Sequence, residues 1–173
     1  MKKFILFILF TFLSLPCFAE EVIYINKKCD KEASKILYEY RLSELNFTPE
    51  KAYEAFGYKL SDVRAIFYDL NSDGINEVIG YINVPSEVCV EGTALTILKK
   101  EKEFFLLLAN FNFYPDSGIN ILDSKTDGYF DIKTFFTKIQ YNEKPKLHIT
   151  RLYNSSGLAK YNKKLKRYQS VSN

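Results

Sequence analysis

Tryptophan is missing from this 173-residue chain, and histidine and methionine occur once each. With His148 alone, a Ser-His or Cys-His catalytic pair has one residue to draw on, and no nucleophile-elbow or cysteine-nucleophile motif accompanies it. A zinc site lacks partners as well. In "KLHITRLY" the alternation sets His148 opposite Leu147 and Ile149, as a half-exposed strand histidine. Glycine is scarce, at seven residues, and no phosphate-cradling glycine loop is present. The remaining catalytic option is a carboxylate pair, and "EVCVE" offers Glu87 and Glu91. Four residues of extended chain separate them by about 13 Å, too far for either glycosidase geometry.

Acid is also missing from one end. No Asp or Glu follows Glu143, while Lys144, Lys146, Arg151, Lys160, Lys163, Lys164, Lys166 and Arg167 do. The formal net charge of +3 therefore hides a basic C-terminal segment behind a net acidic remainder. Within "KYNKKLKRYQS", Lys160, Lys163, Lys164, Lys166 and Arg167 interleave with Tyr161, Leu165 and Tyr168. This is a patch for an anionic partner, or equally a closing hairpin with solvated lysines.

Long apolar runs are absent except at the start. "MKKFILFILFTFLSLPCFAEE" has two lysines, an apolar run from Phe4 to about Leu15, and small residues at a plausible cleavage point. The run is shorter than the roughly 20 residues that span a bilayer, and the pattern is that of a secretory signal peptide over residues 1–19. Cys17 and Ala19 then stand at the minus-three and minus-one positions, and Glu20 begins the mature chain. Export to the periplasm or beyond is the expectation, and nucleic acid is not an expected partner. Of the three cysteines, Cys29 and Cys89 remain after cleavage. In an oxidising compartment they are expected to form a disulfide closing a loop of about 60 residues, worth roughly 4 kcal/mol on the chain-entropy account.

Residues 20–173 are one domain's worth of chain. Phe and Tyr, 15 and 13 in number, are to supply an aromatic-rich core. "DKEASKILYEYRLSEL" predicts an amphipathic helix from an Asp30 N-cap to about Leu45, and "TPEKAYEAFGY" a second short one between a Thr48 N-cap and Gly57. After Val63 come β-branched and aromatic runs near 63–69, 77–84, 93–99, 103–112, 119–123, 130–138, 146–153, 158–161 and 165–170. Their connections are too short for crossover helices. The expected class is α+β, with helices over 30–57 followed by a mainly antiparallel β-meander over 63–170.

One stretch carries ligand chemistry. In "DLNSDGINE", Asp69, Asn71 and Asp73, the Ile75 carbonyl and Glu77 occupy positions 1, 3, 5, 7 and 9 around Gly74 at position 6. Calcium takes six to eight oxygens, and such a loop supplies most of them, with water completing the shell. Position 12 is Gly80 rather than a bidentate Glu, so the letters are not those of an EF-hand. They also spell an Asx-rich hairpin turn in which the carboxylates bond local amides. A second segment, "DSKTDGYFD", sets Asp123, Lys125, Asp127, Gly128 and Asp131 in the same frame. There Lys125 is expected to fill the cation's place.

The first pattern resembles the calcium loop of FG-GAP and integrin-propeller repeats, D-x-[DN]-x-D-G-x-x-[DE] followed by aliphatic residues, matched by Asp69, Asn71, Asp73, Gly74 and Glu77, then Val78 and Ile79. The resemblance covers about a dozen residues and implies a calcium-binding hairpin loop. The functional expectation is a small, exported, non-enzymatic binding domain that meets an envelope protein or glycan. Alternatives are an inhibitor of an envelope-directed lysozyme or protease, and a carboxylate-dependent hydrolase.

Overall fold

A computed structural model describes residues 21–84, 88–89, 92–142 and 148–171. The expected signal peptide and the Glu87 and Glu91 pair lie outside them. The element order is β1 (Glu21–Ile23), α1 (Lys31–Leu45), α2 (Pro49–Phe56), β2 (Val63–Tyr68), β3 (Glu77–Ile82), β4 (Val88–Cys89), β5 (Gly92–Glu101), β6 (Phe104–Phe113), β7 (Ile119–Thr126), β8 (Tyr129–Asn142), β9 (His148–Asn162) and β10 (Arg167–Val171). Among the described residues no helix is long and apolar enough to cross a membrane.

The helices form where their caps predict. Asp30 accepts from the amides of Glu32 and Ala33 at 2.8 and 2.9 Å, and Asn46 ends α1 in the left-handed region. Such a cap is worth about 1 kcal/mol. Ser34, buried on α1, donates to the Asp30 carbonyl and accepts from Ala65 N at 3.2 Å, while Asp30 N donates to Ala65 O at 2.8 Å. The helix start is thus bonded directly to β2. Thr48 caps α2 through Lys51 N, and Gly57 closes it at φ 76°.

The fold class departs from the expectation. The strands do not run as one meander behind two helices; they form two antiparallel sheets in a mainly β, sandwich-like fold. The first sheet has the order β1-β7-β8-β9-β10, and the second has β2-β3-β5-β4 with β6 on the far side of β5. Three features account for the difference. The short β1, ahead of the helices, pairs with β7 from Glu21↔Ile121 to Ile23↔Ile119. The turn Pro115–Ser117, closed by Gly118 at φ 68°, carries the chain out of the second sheet after β6 and into the first. The two segments read as strands at 146–153 and 158–161 are a single β9, paired along the length of β8.

Alternation gives the second sheet two buried faces. Val63 and Ala65 of β2 and Val78 and Ile82 of β3 pack under Ala33, Leu37 and Leu42 of α1. Their neighbours Ile66, Ile79 and Tyr81 face the first sheet, where they meet Ile23, Ile119, Ile121, Ile132 and Ala159. A bulge where Ile97 and Leu98 oppose Ala109 and Leu107 lets Leu108 and Ala109 both enter the inter-sheet core. The order of layers is helices, second sheet, first sheet.

Candidate functional site

The loop between β2 and β3 begins with an anchor. Leu70 is fully buried between the sheets, and its carbonyl accepts from Phe130 N of β8 at 2.8 Å. Asp69 faces inward along the loop: Oδ1 accepts from the amides of Ser72, Asp73 and Asn71 at 2.7, 3.2 and 3.3 Å, and Oδ2 from Gly74 N at 2.9 Å. Desolvation works against the charge of Asp69, but the four amides outweigh it and hold the carboxyl below the usual carboxylate range. Asp73 Oδ1 accepts from Ile75 N at 2.8 Å, and Oδ2 from Asn71 Nδ2 at 2.8 Å. Ser72 at φ 62° and Gly74 at φ 83° give the loop its left-handed corners.

Glu77, at position 9, behaves differently. It is completely buried; Oε2 accepts from Leu70 N at 2.9 Å, and Oε1 has no hydrogen-bond partner among the described residues. Burial, with a contribution from Asp73, pushes its carboxyl up to about 7, against the pull of the Leu70 amide and of Lys99.

One cation at the loop, facing its Asp73 carboxylate, is Lys99 of β5. Its Nζ lies 3.9 Å from Asp73 Oδ2 and donates to Tyr129 Oη at 3.0 Å. Behind it three tyrosines interlock between the sheets. Tyr129 stacks on Tyr161 with centroids 4.0 Å apart, and Tyr168 meets both edge-on while donating to the Phe130 carbonyl at 2.8 Å. Burial raises the Tyr168 hydroxyl far above its ordinary value, so it stays a donor.

The second segment is not a second loop. Asp123 and Lys125 belong to β7, and Asp127-Gly128, at φ 51° and 90°, forms a two-residue turn into β8. Lys125 does not fill a cation place among its own acids. Its Nζ donates to Ser72 Oγ of the first loop at 2.8 Å and lies 4.0 Å from the centroid of the Phe130 ring. Asp127 accepts from Lys163 N at 2.9 Å. The segments correspond at position 9: Asp131, like Glu77, is buried with one carboxylate oxygen bonded, to Ser124 Oγ at 2.7 Å, and the other without a partner among the described residues.

Of the five expected calcium ligands, Asp69, Asn71 and Asp73 share the loop, Glu77 lies inside its base, and Ile75 is exposed. Among the described residues no group of three or more His, Cys, Asp or Glu stands ready to hold a metal. Cys29 is an exposed free thiol with Sγ 3.3 Å from Ser34 Oγ. The Cys89 side chain, its expected partner, lies outside the described residues, as does the side chain of His148. The basic residues separate into two kinds: Lys160 lies 4.0 Å from Asp131, while Lys163, Lys164, Lys166 and Arg167 are exposed around the β9–β10 turn.

Lys99 was legible in principle, because Leu95, Ile97 and Lys99 share one face of β5 and two of them are core residues. The reach of Lys125 across the sandwich had no local signal. Compared with known protein families, curated proteins and solved structures, the chain matches none.

Proposed function

We propose that the chain is an exported, non-enzymatic binding domain whose 69–77 loop takes up calcium in competition with lysine. The observation that supports this most is the Glu77 oxygen left without a partner at the base of an acid-bearing loop. A buried carboxylate is stable only with a proton, a donor or a cation beside it. In the lysine-neutralised arrangement Lys99 serves Asp73, and the loop amides serve Asp69. Calcium would take its oxygens from Asp69, Asn71, Asp73, the Ile75 carbonyl and Glu77, moving the Asn71 amide off Asp73.

Ligand binding to the folded state stabilises it by RT ln(1 + [L]/Kd), about 2.7 kcal/mol at a hundredfold excess over Kd. The melting temperature should therefore rise by several degrees in millimolar calcium relative to chelator. Asp73→Ala should remove the response. Asp127→Ala should leave it intact, because Asp127 caps the Lys163 amide in a separate turn. A parent that melts identically with calcium and with chelator reduces the loop to a polar hairpin.

The basic turn supports the other half of the reading, an anionic protein or glycan of the cell envelope as partner. Cys29 is unbridged in the described structure, and the proposal is that export lets it pair with Cys89. Native chain purified without reductant should yield no titratable thiol, and two thiols per chain would remove the bridge.

A further inference from the structure

β8 and β9, of 14 and 15 residues, are the longest strands of the fold, and both outrun their neighbours. The ladder of β7 with β8 stops at Ile119↔Thr134, and that of β10 with β9 at Val171↔Leu158. Beyond those rungs β8 and β9 remain paired with each other, from Phe135↔Ser156 to Asn142↔His148. At the root of this two-stranded arm the Phe135 carbonyl accepts from Tyr114 N at 2.7 Å; past it, no strand among the described residues pairs with either edge. The arm runs on for roughly 20 Å. A two-stranded ribbon is marginal in water, and a third strand is what steadies it. Register gives the arm two unlike faces: the positions of Lys138 and Arg151 share one, and those of Ile139 and Leu152 the other. From His148 to Val171 the sequence has no Asp or Glu, against Arg151, Lys160, Lys163, Lys164, Lys166 and Arg167.

We propose that an extended segment of a partner protein, alternating acidic and apolar residues, adds as a third strand to the unpaired edge of β9 in this arm. In an antiparallel pair every second residue of β9 bonds β8 through its N–H and C=O, and the residues between offer theirs to the other side. Those groups give the incoming strand its hydrogen bonds, and strands recruit strands in this way unless charge prevents it. Here the charge has one sign, so it repels a basic segment and draws an acidic one. Acids of the incoming strand fall on the face of Lys138 and Arg151, and its apolar residues extend the face of Ile139 and Leu152. A second copy of this chain is disfavoured at the same place, because pairing β9 with β9 brings two basic, acid-free strands together. The inference rests on the reading of the chain as a binding domain and is independent of calcium.

The probe is a fluorescein-labelled eight-residue peptide of alternating Glu and Val, followed by anisotropy at physiological salt. Saturable binding is expected, with at least a tenfold loss for Arg151→Glu. The Lys164→Glu, Lys166→Glu double variant should bind like the parent, since roughly 40 Å of extended β9 separates Arg151 from that turn and charges are screened beyond about 8 Å at this salt. A strand offers its two edges through alternate residues. Of two peptides N-methylated at every Glu or at every Val, one should therefore bind at least tenfold more weakly and the other like the unmodified peptide. Equal binding of the two would reveal a charge-only surface of the kind an anionic lipid or glycan uses, and would overturn strand addition. Parent-like binding by Arg151→Glu, or a tenfold loss in the turn variant, would move the peptide off the arm and overturn the site. A dimer in sedimentation that the peptide cannot disperse would give the edge to a second copy instead. Absence of saturable binding, in a protein that still responds to calcium, would remove the arm as an acceptor and leave the calcium reading standing.

Discussion

Between pH 4.5 and 7 the folded protein should lose up to about 3 kcal/mol of stability, and Glu77→Gln should abolish most of that loss. Burial pushes the Glu77 carboxyl up to about 7 in the fold, from an ordinary value of 4.5. Each pH unit of such a difference is worth about 1.4 kcal/mol. The sign follows from which state holds the proton. Where the folded chain binds a proton that the unfolded chain has released, stability falls as pH rises. The contribution is neutral below 4.5, grows through the window and is constant above 7. Asp69 acts in the opposite sense and lower, since its depressed carboxyl withdraws stability only as pH falls below the usual carboxylate range. Denaturant unfolding at half-unit intervals from pH 5 to 8 is the measurement. At pH 8 the Gln variant should match or exceed its parent, because Leu70 N keeps an acceptor and no charge is buried. Parallel pH profiles for the two proteins would place the charge of Glu77 in a better-solvated setting than the geometry gives it.

Replacing Gly80 by valine should cost about 3 kcal/mol or more and lower the melting temperature by roughly ten degrees. Gly80 lies in the middle of β3, between β2 and β5 and directly beneath α1. A Cβ there would fall on the Arg64 carbonyl oxygen, 2.5 Å from Ala65 Cβ and 2.7 Å from Leu37 Cδ2. Two of these neighbours belong to β2, and neither the Arg64 carbonyl nor Ala65 Cβ can swing aside. Gly157→Ala is the control, since a Cβ in β9 would meet the Phe136 ring edge at 3.0 Å and no backbone. That ring can turn, so a loss of less than about 1 kcal/mol is expected. Similar losses in both variants would mean that the helix layer yields where the packing says it is held.

The contrast between these glycines shows what the letters conveyed. The caps at Asp30 and Thr48 and the stop at Gly57 are local chemistry, and α1 and α2 lie where those residues put them. Most strands were legible for the same reason, because alternation is local too. Their allocation to sheets was not. "EVI" at 21–23 is too short to be distinguished from a linker, yet it completes one edge of the first sheet. Asn112 and Ile119 read as ends of consecutive strands, and only the left-handed Gly118 hints that the chain changes layer between them. In the acid loop the spacing of Asp69, Asn71 and Asp73 was legible, but their hydrogen bonds were not. Which oxygens meet amides and which are left over depends on Leu70 being drawn into a core that the first sheet supplies.

The partnership of β1 with β7 also sets an order of events. Glu21 finds its neighbour at Ile121, so the first strand of the domain has no ladder until about a hundred residues more of chain exist. Contacts of such separation are slow to form because the intervening loop must be closed first. The helices and the β2–β3 hairpin, all local, can assemble ahead of it. Ile23 and Ile25, which are buried against both sheets, then enter the core as a late closing step. A chain made from its N-terminus thus keeps Ile23 and Ile25 exposed while the hundred residues that follow are made, and any holding factor that shields an unfinished chain has its most persistent target there.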